Sequence, residues 1–135
     1  MSATLAHDAT RVGATGKAGN VALWVLQVAA AAMLGMAGFA KLTGAPEMVG
    51  LFDAIGVGQW FRYVTGILEV GGAILLLVPA LAGAGALLLA GVMLGAVLTH
   101  LFVIGGSPVV PLVLMIVLAV IAYGRRERTL RLLGR

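Results

Sequence analysis

YVTGILEVGGAILLLVP, residues 63–79, decides the fold. Nearly every position is apolar or small, yet one carboxylate, Glu69, stands well inside the run. At about 1.5 Å per residue, a helix from Arg62 through this stretch can cross a hydrocarbon layer of roughly 30 Å. Between Arg62 and Arg125 the chain carries no other Asp, Glu, Lys or Arg. A charge facing lipid costs at least ~2.5–3.5 kcal/mol on insertion scales, so Glu69 is expected to point into a bundle of helices.

The rest of the composition agrees. The chain has 135 residues, 61% hydrophobic and 10% charged, with a mean hydropathy of +1.12. A soluble domain is nearer half apolar and a quarter charged. The excess cannot be hidden in the core of so small a chain, so lipid is its expected solvent. The net charge of +4 is local, because Arg125, Arg126, Arg128, Arg131 and Arg135 crowd the C-terminal end. Such a tail suits anionic lipid at a cytoplasmic membrane face and does not suggest nucleic acid. Cysteine is absent, which excludes disulfides, thiolate nucleophiles and iron–sulfur ligation by this chain. With only His7 and His100 as histidines, no metal site is expected. No Walker loop, dinucleotide fingerprint, GxSxG or HExxH occurs, so no intrinsic cofactor is expected.

The pattern predicts an all-α membrane protein, a four-transmembrane-helix bundle with a short amphipathic helix between helices 1 and 2. Residues 1–19 are small and polar and are expected to be a disordered tail. The transmembrane domain covers 20–123, and 124–135 form a basic cytoplasmic tail. The first span, about Asn20 to Leu42, is too long for a cleaved signal peptide. Gly44 and Pro46 end it. Met48, Val49, Leu51, Phe52 and Ile55 are spaced as one face of a helix lying at the membrane surface, with Glu47 and Asp53 toward water. The second span runs from about Arg62 to Val78, the third from Leu81 to Val103, and the fourth ends near Tyr123. Basic flanks at both ends place both termini in the cytoplasm, across a bacterial cytoplasmic membrane. Small residues are expected at helix contacts: Gly35 and Gly38, Gly66 and Gly72, and the GxxxG step Gly91–Gly95.

This folding brings polar residues to one level. Lys41, Arg62, Thr65, Glu69, Thr99 and His100 all fall in the outer half, whereas Gln27 is the only strong hydrogen-bonding side chain expected in the inner half. Glu69 can pair with Lys41 or Arg62 and set helix register, can sit protonated, or can hydrogen-bond to Thr65, Thr99 or His100. Glu69 and His100 are the candidate acid–base residues, since a histidine exchanges protons near neutral pH. Lys41, Arg62, Thr65 and Thr99 are the candidate substrate-binding residues.

GFAKL (38–42), FDAIGVGQWFR (52–62), GILEVGGAILLLVP (66–79) and GAGALLLAGVMLGAVLTH (83–100) together resemble the DoxX-like family of small four-helix integral membrane proteins. The resemblance covers about residues 22–123. It implies Lys41, Arg62, Glu69 and His100 as the polar positions to carry over. The family name comes from a membrane subunit associated with thiosulfate–quinone oxidoreduction, and relatives are linked to redox or oxidative-stress complexes. The expected function is therefore an accessory or binding subunit that holds a lipophilic small molecule, a quinone among the candidates, in the outer polar cluster. A partner membrane protein or a second copy of the chain would complete it. The alternatives are a cofactor-free membrane enzyme, of isomerase, cyclase or epoxide-opening type, using Glu69 and His100, and a structural or assembly protein with no ligand.

Overall fold

The computed structural model describes residues 15–134. Its regular elements are all helices, with no strand among the described residues. They are α1 (Asn20–Thr43), α2 (Pro46–Ile55), α3 (Trp60–Leu76), α4 (Ala82–Thr99), α5 (Val109–Gly124) and α6 (Arg126–Leu132). A π-helical turn, Thr15–Gly19, leads into α1, and another, His100–Ile104, extends α4. Helix thus begins inside the segment expected to be a tail. The remainder of that segment, residues 1–14, lies outside the described residues, as does Arg135.

Local chemistry sets the breaks. Gly44 takes φ 74° and donates its N–H to Ala40 O, closing α1 with a left-handed cap that costs glycine nothing. Pro46 opens α2, where a missing N–H is harmless, and Gly56 closes it at φ 84°. On α2 the side chains of Met48, Val49, Leu51, Phe52 and Ile55 are buried or half-buried, while Glu47 and Asp53 are exposed. The expected amphipathic face is therefore real. Phe52 meets Phe61 edge to face at 5.8 Å.

Two stretches are long and apolar enough to cross a membrane, Gly16–Thr43 and Ala82–Ile104. A third exists only if α5 and α6 count as one span, and they are bent by 67° at their junction. The 17-residue α3 is about 26 Å long. Length and apolarity thus establish two spans, or up to three, rather than the expected four.

α1 runs antiparallel to α3, α3 packs on α4, α4 on α5, and α5 returns more sparsely to α1. Leu34, Leu76, Leu89, Leu118 and Ile121 fill the centre and are almost wholly buried. Phe39, Ile67, Ile74, Phe102 and Val113 point outward and are exposed. Large apolar side chains all round the outside are what a lipid-solvated bundle presents.

Glycines decide how closely the helices approach, but not all those expected. A Cβ on Gly38 would stand 2.9 Å from Glu69 Cβ and from Gly66 O, so α1 and α3 touch backbone to backbone. A Cβ on Gly85 would lie 2.7 Å from Leu75 Cβ, which closes α3 onto α4 beside their turn. Gly91 and Gly95 differ: a Cβ on either meets nothing within 4 Å. The GxxxG step is not a helix contact, because α3 and α4 pack through Gly72 and Gly85 instead.

The end expected to be the inner one also departs from expectation. Gln27 is not its only strong polar group, because Arg125 turns inward. The Arg125 side chain gives Nε to Gln27 Oε1 (2.7 Å) and Nη1 to Asn20 Oδ1 (2.8 Å), while Gln27 Nε2 donates to Leu76 O (2.7 Å). Gln27 is fully buried and Arg125 is 6% exposed. This network ties the start of α1, the end of α3 and the α5–α6 junction together.

Candidate functional site

The half of the bundle that holds the end of α1, the start of α3 and the end of α4 contains a cavity of about 820 Å³. All four long helices and α2 contribute to its wall. Of the sequence-predicted residues, Lys41, Thr65, Glu69, Thr99 and His100 line it, and Arg62 does not.

Glu69 is the most buried polar group on the cavity wall, 1% exposed. Its place on α3 follows from the glycine contact: Gly66 lies one turn before it, and Gly38 of α1 faces its Cβ. That contact brings Lys41, one turn beyond Gly38, over the carboxylate. Lys41 Nζ stands 2.6 Å from Glu69 Oε1. The contact is a buried ion pair at hydrogen-bonding distance, and among the described residues no donor other than Lys41 reaches this oxygen. The pair gives a largely apolar chamber a charged group on its wall.

Arg62 is buried too, but it serves the helix ends. It donates to the carbonyl of Lys41 through Nη1 and to Gln59 Oε1 through Nε (2.7 Å). Its guanidinium also lies 4.3 Å from the ring centre of Tyr63. An orphan carbonyl at the end of α1 is thereby satisfied, and the Lys41 backbone is held in place. The choice left open between Lys41 and Arg62 as partner of Glu69 falls to Lys41.

Thr65 and Thr99 each donate their hydroxyl to the carbonyl one turn back on their own helix, Phe61 O (2.9 Å) and Gly95 O (2.7 Å). Each keeps acceptor capacity on the cavity side. His100 opens the π-helical turn, and its Nδ1 lies 2.9 Å from Gly105 O. A carbonyl only accepts, so Nδ1 carries the proton and Nε2 is left as the second polar atom of the ring. π-Helical turns interrupt regular bonding and often occur where function needs a re-aimed side chain. No direct hydrogen bond joins His100, Thr65 or Thr99 to Glu69 among the described residues. They share a chamber rather than a network.

Two contributions were hidden from sequence reasoning. Ser107, from the GGSP turn, also lines the cavity, and Met48, Leu51, Phe52 and Ile55 of α2 close over it. The amphipathic spacing of α2 was visible, but it indicated a membrane surface rather than a roof. Gly91 and Gly95 line the cavity as well, so their missing side chains create space. No group of three or more His, Cys, Asp or Glu side chains could hold a metal ion among the described residues.

Apolar outer surfaces around a chamber with a buried ion pair define an integral membrane protein of helices. The chain belongs to the DoxX-like family, whose model matches residues 25–124. No curated protein and no solved structure matches it significantly.

Proposed function

We propose that this chain is a four-span membrane protein, both ends cytoplasmic, whose outer cavity binds a lipophilic small molecule by its polar head. The observation that carries this reading is the buried Lys41–Glu69 pair, both members of which line a cavity of about 820 Å³. Ligand sites are typically chambers of about 300–1,000 Å³, mostly apolar, with a few polar groups that orient the occupant. A head that donates a hydrogen bond would add to the Lys41 contact of the Glu69 carboxylate. Nε2 of His100 and the hydroxyl oxygens of Thr65 and Thr99 would meet its remaining polar atoms. Arg62 acts here as a positioning residue, through the Lys41 backbone. A quinol or quinone is one molecule of this class, and an accessory role beside a partner membrane protein is compatible with it.

Four spans are supported by the length of α3 and by its packing between α1 and α4. The meeting of Asn20 with Arg125 supports both ends lying on one side. The basic residues of α6 support that side being the cytoplasm.

A second reading, a cofactor-free enzyme, is favoured by one observation. The Nδ1 contact to Gly105 O leaves Nε2 of His100 as the ring's second polar atom, in a chamber shared with a carboxylate. A general base needs that arrangement.

Native mass spectrometry of protein purified in a mild detergent tests the binding reading. Wild type should carry a small-molecule adduct that is absent from Glu69→Gln and from Gly95→Phe. The second variant fills the cavity from a position with open space, so it leaves the helix contacts alone. An adduct equally abundant in all three proteins would sink the reading.

A further inference from the structure

Beside the polar cavity lies a second hollow, about 330 Å³, in the sparse seam between α1 and α5. Its walls are wholly apolar, with Leu26, Ala29, Ala30 and Met33 on the α1 side. Met33, Val109, Val110 and Val113 are more than half exposed, so the hollow is a groove open to the bilayer. Val110 and Leu114 line both the groove and the polar cavity. One layer of side chains on α5 separates the chamber from a lipid-facing channel.

From this continuity we infer that the ligand is a single-tailed amphiphile, with its head in the cavity and its apolar chain passing between α1 and α5 into the groove. The inference rests on the ligand-site reading above and extends it to the ligand's shape and route of entry. Leu26 to Met33 lie eight to fifteen residues before Lys41, hence roughly 12–22 Å deeper along α1. Half of a ~30 Å hydrocarbon layer is a comparable depth, so the groove suits one lipid-like tail. The tail's gain is contact with nine apolar residues and no polar group. The head cannot enter that way and stay there, because the groove offers no hydrogen bond. Such a molecule would enter sideways from the bilayer, tail trailing, without crossing the roof made by α2. The α1–α5 seam is sparse beside the groove and is held at its far end, where Gly124 packs on Leu23 and Arg125 reaches Asn20 and Gln27, so any parting for entry is confined to the stretch near Met33 and Val110.

Photolabelling of the full chain in lipid nanodiscs separates the two claims. The probes are a short-chain and a long-chain 4-alkylphenol, each with a diazirine at the chain end and each offered with excess unlabelled lipid. Peptide mass spectrometry then locates the labels. The short probe should mark the cavity wall, at Met93 or Phe52, and the long probe should mark Met33 or Val117 in the groove. Gly95→Phe should abolish both patterns by excluding the head. Ala29→Trp, at an exposed groove position, should remove only the long-probe label. Short-probe labelling of the cavity, with the long probe spread over lipid-facing residues such as Ile67 and Phe102, would overturn the tail route and leave the cavity reading intact. Absence of Gly95→Phe-sensitive labelling by either probe would overturn both.

Discussion

Gly38 and Gly66 stand back to back where α1 crosses α3. A Cβ on Gly38 would lie 2.9 Å from Gly66 O, and one on Gly66 would lie 3.0 Å from Gly38 O. Both intruded atoms are backbone, which cannot swing aside. Alanine at either position therefore pushes the helices apart, and overpacking of this kind costs about 1–3 kcal/mol. Gly91→Ala and Gly95→Ala, where a Cβ meets nothing, should stay within about 0.5 kcal/mol. Thermal unfolding of the four variants in one detergent checks the contrast. Equal losses at all four positions would show that helix propensity, and not close approach, governs these glycines.

The Lys41–Glu69 pair depends on that crossing. The two side chains are 11% and 2% exposed, so neither charge is well solvated. Removing one partner of a buried pair leaves the other uncompensated and costs about 3–5 kcal/mol. Lys41→Met should therefore be severely destabilised, and Lys41→Met combined with Glu69→Gln should recover much of the loss. A double-mutant cycle by denaturant titration measures the coupling. Independent, additive effects would mean that the two residues are neighbours without being partners.

Hydropathy made the helices legible, and the polar residues within them made the candidate site legible. Glu69 had to point inward because lipid penalises it, and Lys41, Thr65, Thr99 and His100 follow it to one chamber by position along the helices. Choosing Lys41 over Arg62 needed three dimensions, because both are long and both sit at the same level. What decides it is Gly38, which brings α1 onto α3 in a register that hands Arg62 the Lys41 carbonyl instead. The small residues were misleading for a related reason. A glycine marks either a contact or a void, and only the facing helix tells which; Gly72 faces Leu89, and Gly91 faces the cavity. Arg125 was hidden in a run of arginines that looks uniform, and it turns inward where the chain bends by 67° between α5 and α6.

Gly91 and Gly95 give the cavity its volume, so larger residues there should act on occupancy without acting on the fold. Gly91→Leu and Gly95→Leu should keep the melting temperature of the empty protein within a few degrees of wild type. They should also lose the stabilisation that a bound lipophile provides, which at a ligand concentration of one hundred times Kd is about 2.7 kcal/mol. Melting curves before and after exhaustive detergent washing separate the two contributions. A variant that melts far below washed wild type would place these glycines in the packing after all.

Arg125 holds one end of the bundle as Lys41 holds the other. Its Nε and Nη1 reach Gln27 and Asn20, and Nη2 is buried without a hydrogen bond among the described residues. Gln27→Leu removes the Nε acceptor and also frees Leu76 O, so a buried charged donor and a carbonyl lose partners together. Each such loss costs about 1–3 kcal/mol. Arg126 is a useful control, because it is exposed and its guanidinium lies over Tyr123 at 4.1 Å. Arg126→Gln should change stability by less than about 0.5 kcal/mol. The network also sets where α6 leaves the bundle, with Arg128 Nη1 donating to Pro79 O (2.8 Å) as a second tie. Gln27→Leu should therefore expose α6, and trypsin should cut after Arg128 or Arg131 faster than in wild type under conditions that leave the rest of the chain intact. Unchanged cleavage, with unfolding no worse than in Arg126→Gln, would reduce the Gln27–Arg125 contact to an incidental one and leave the bend to be explained by the backbone around Gly124.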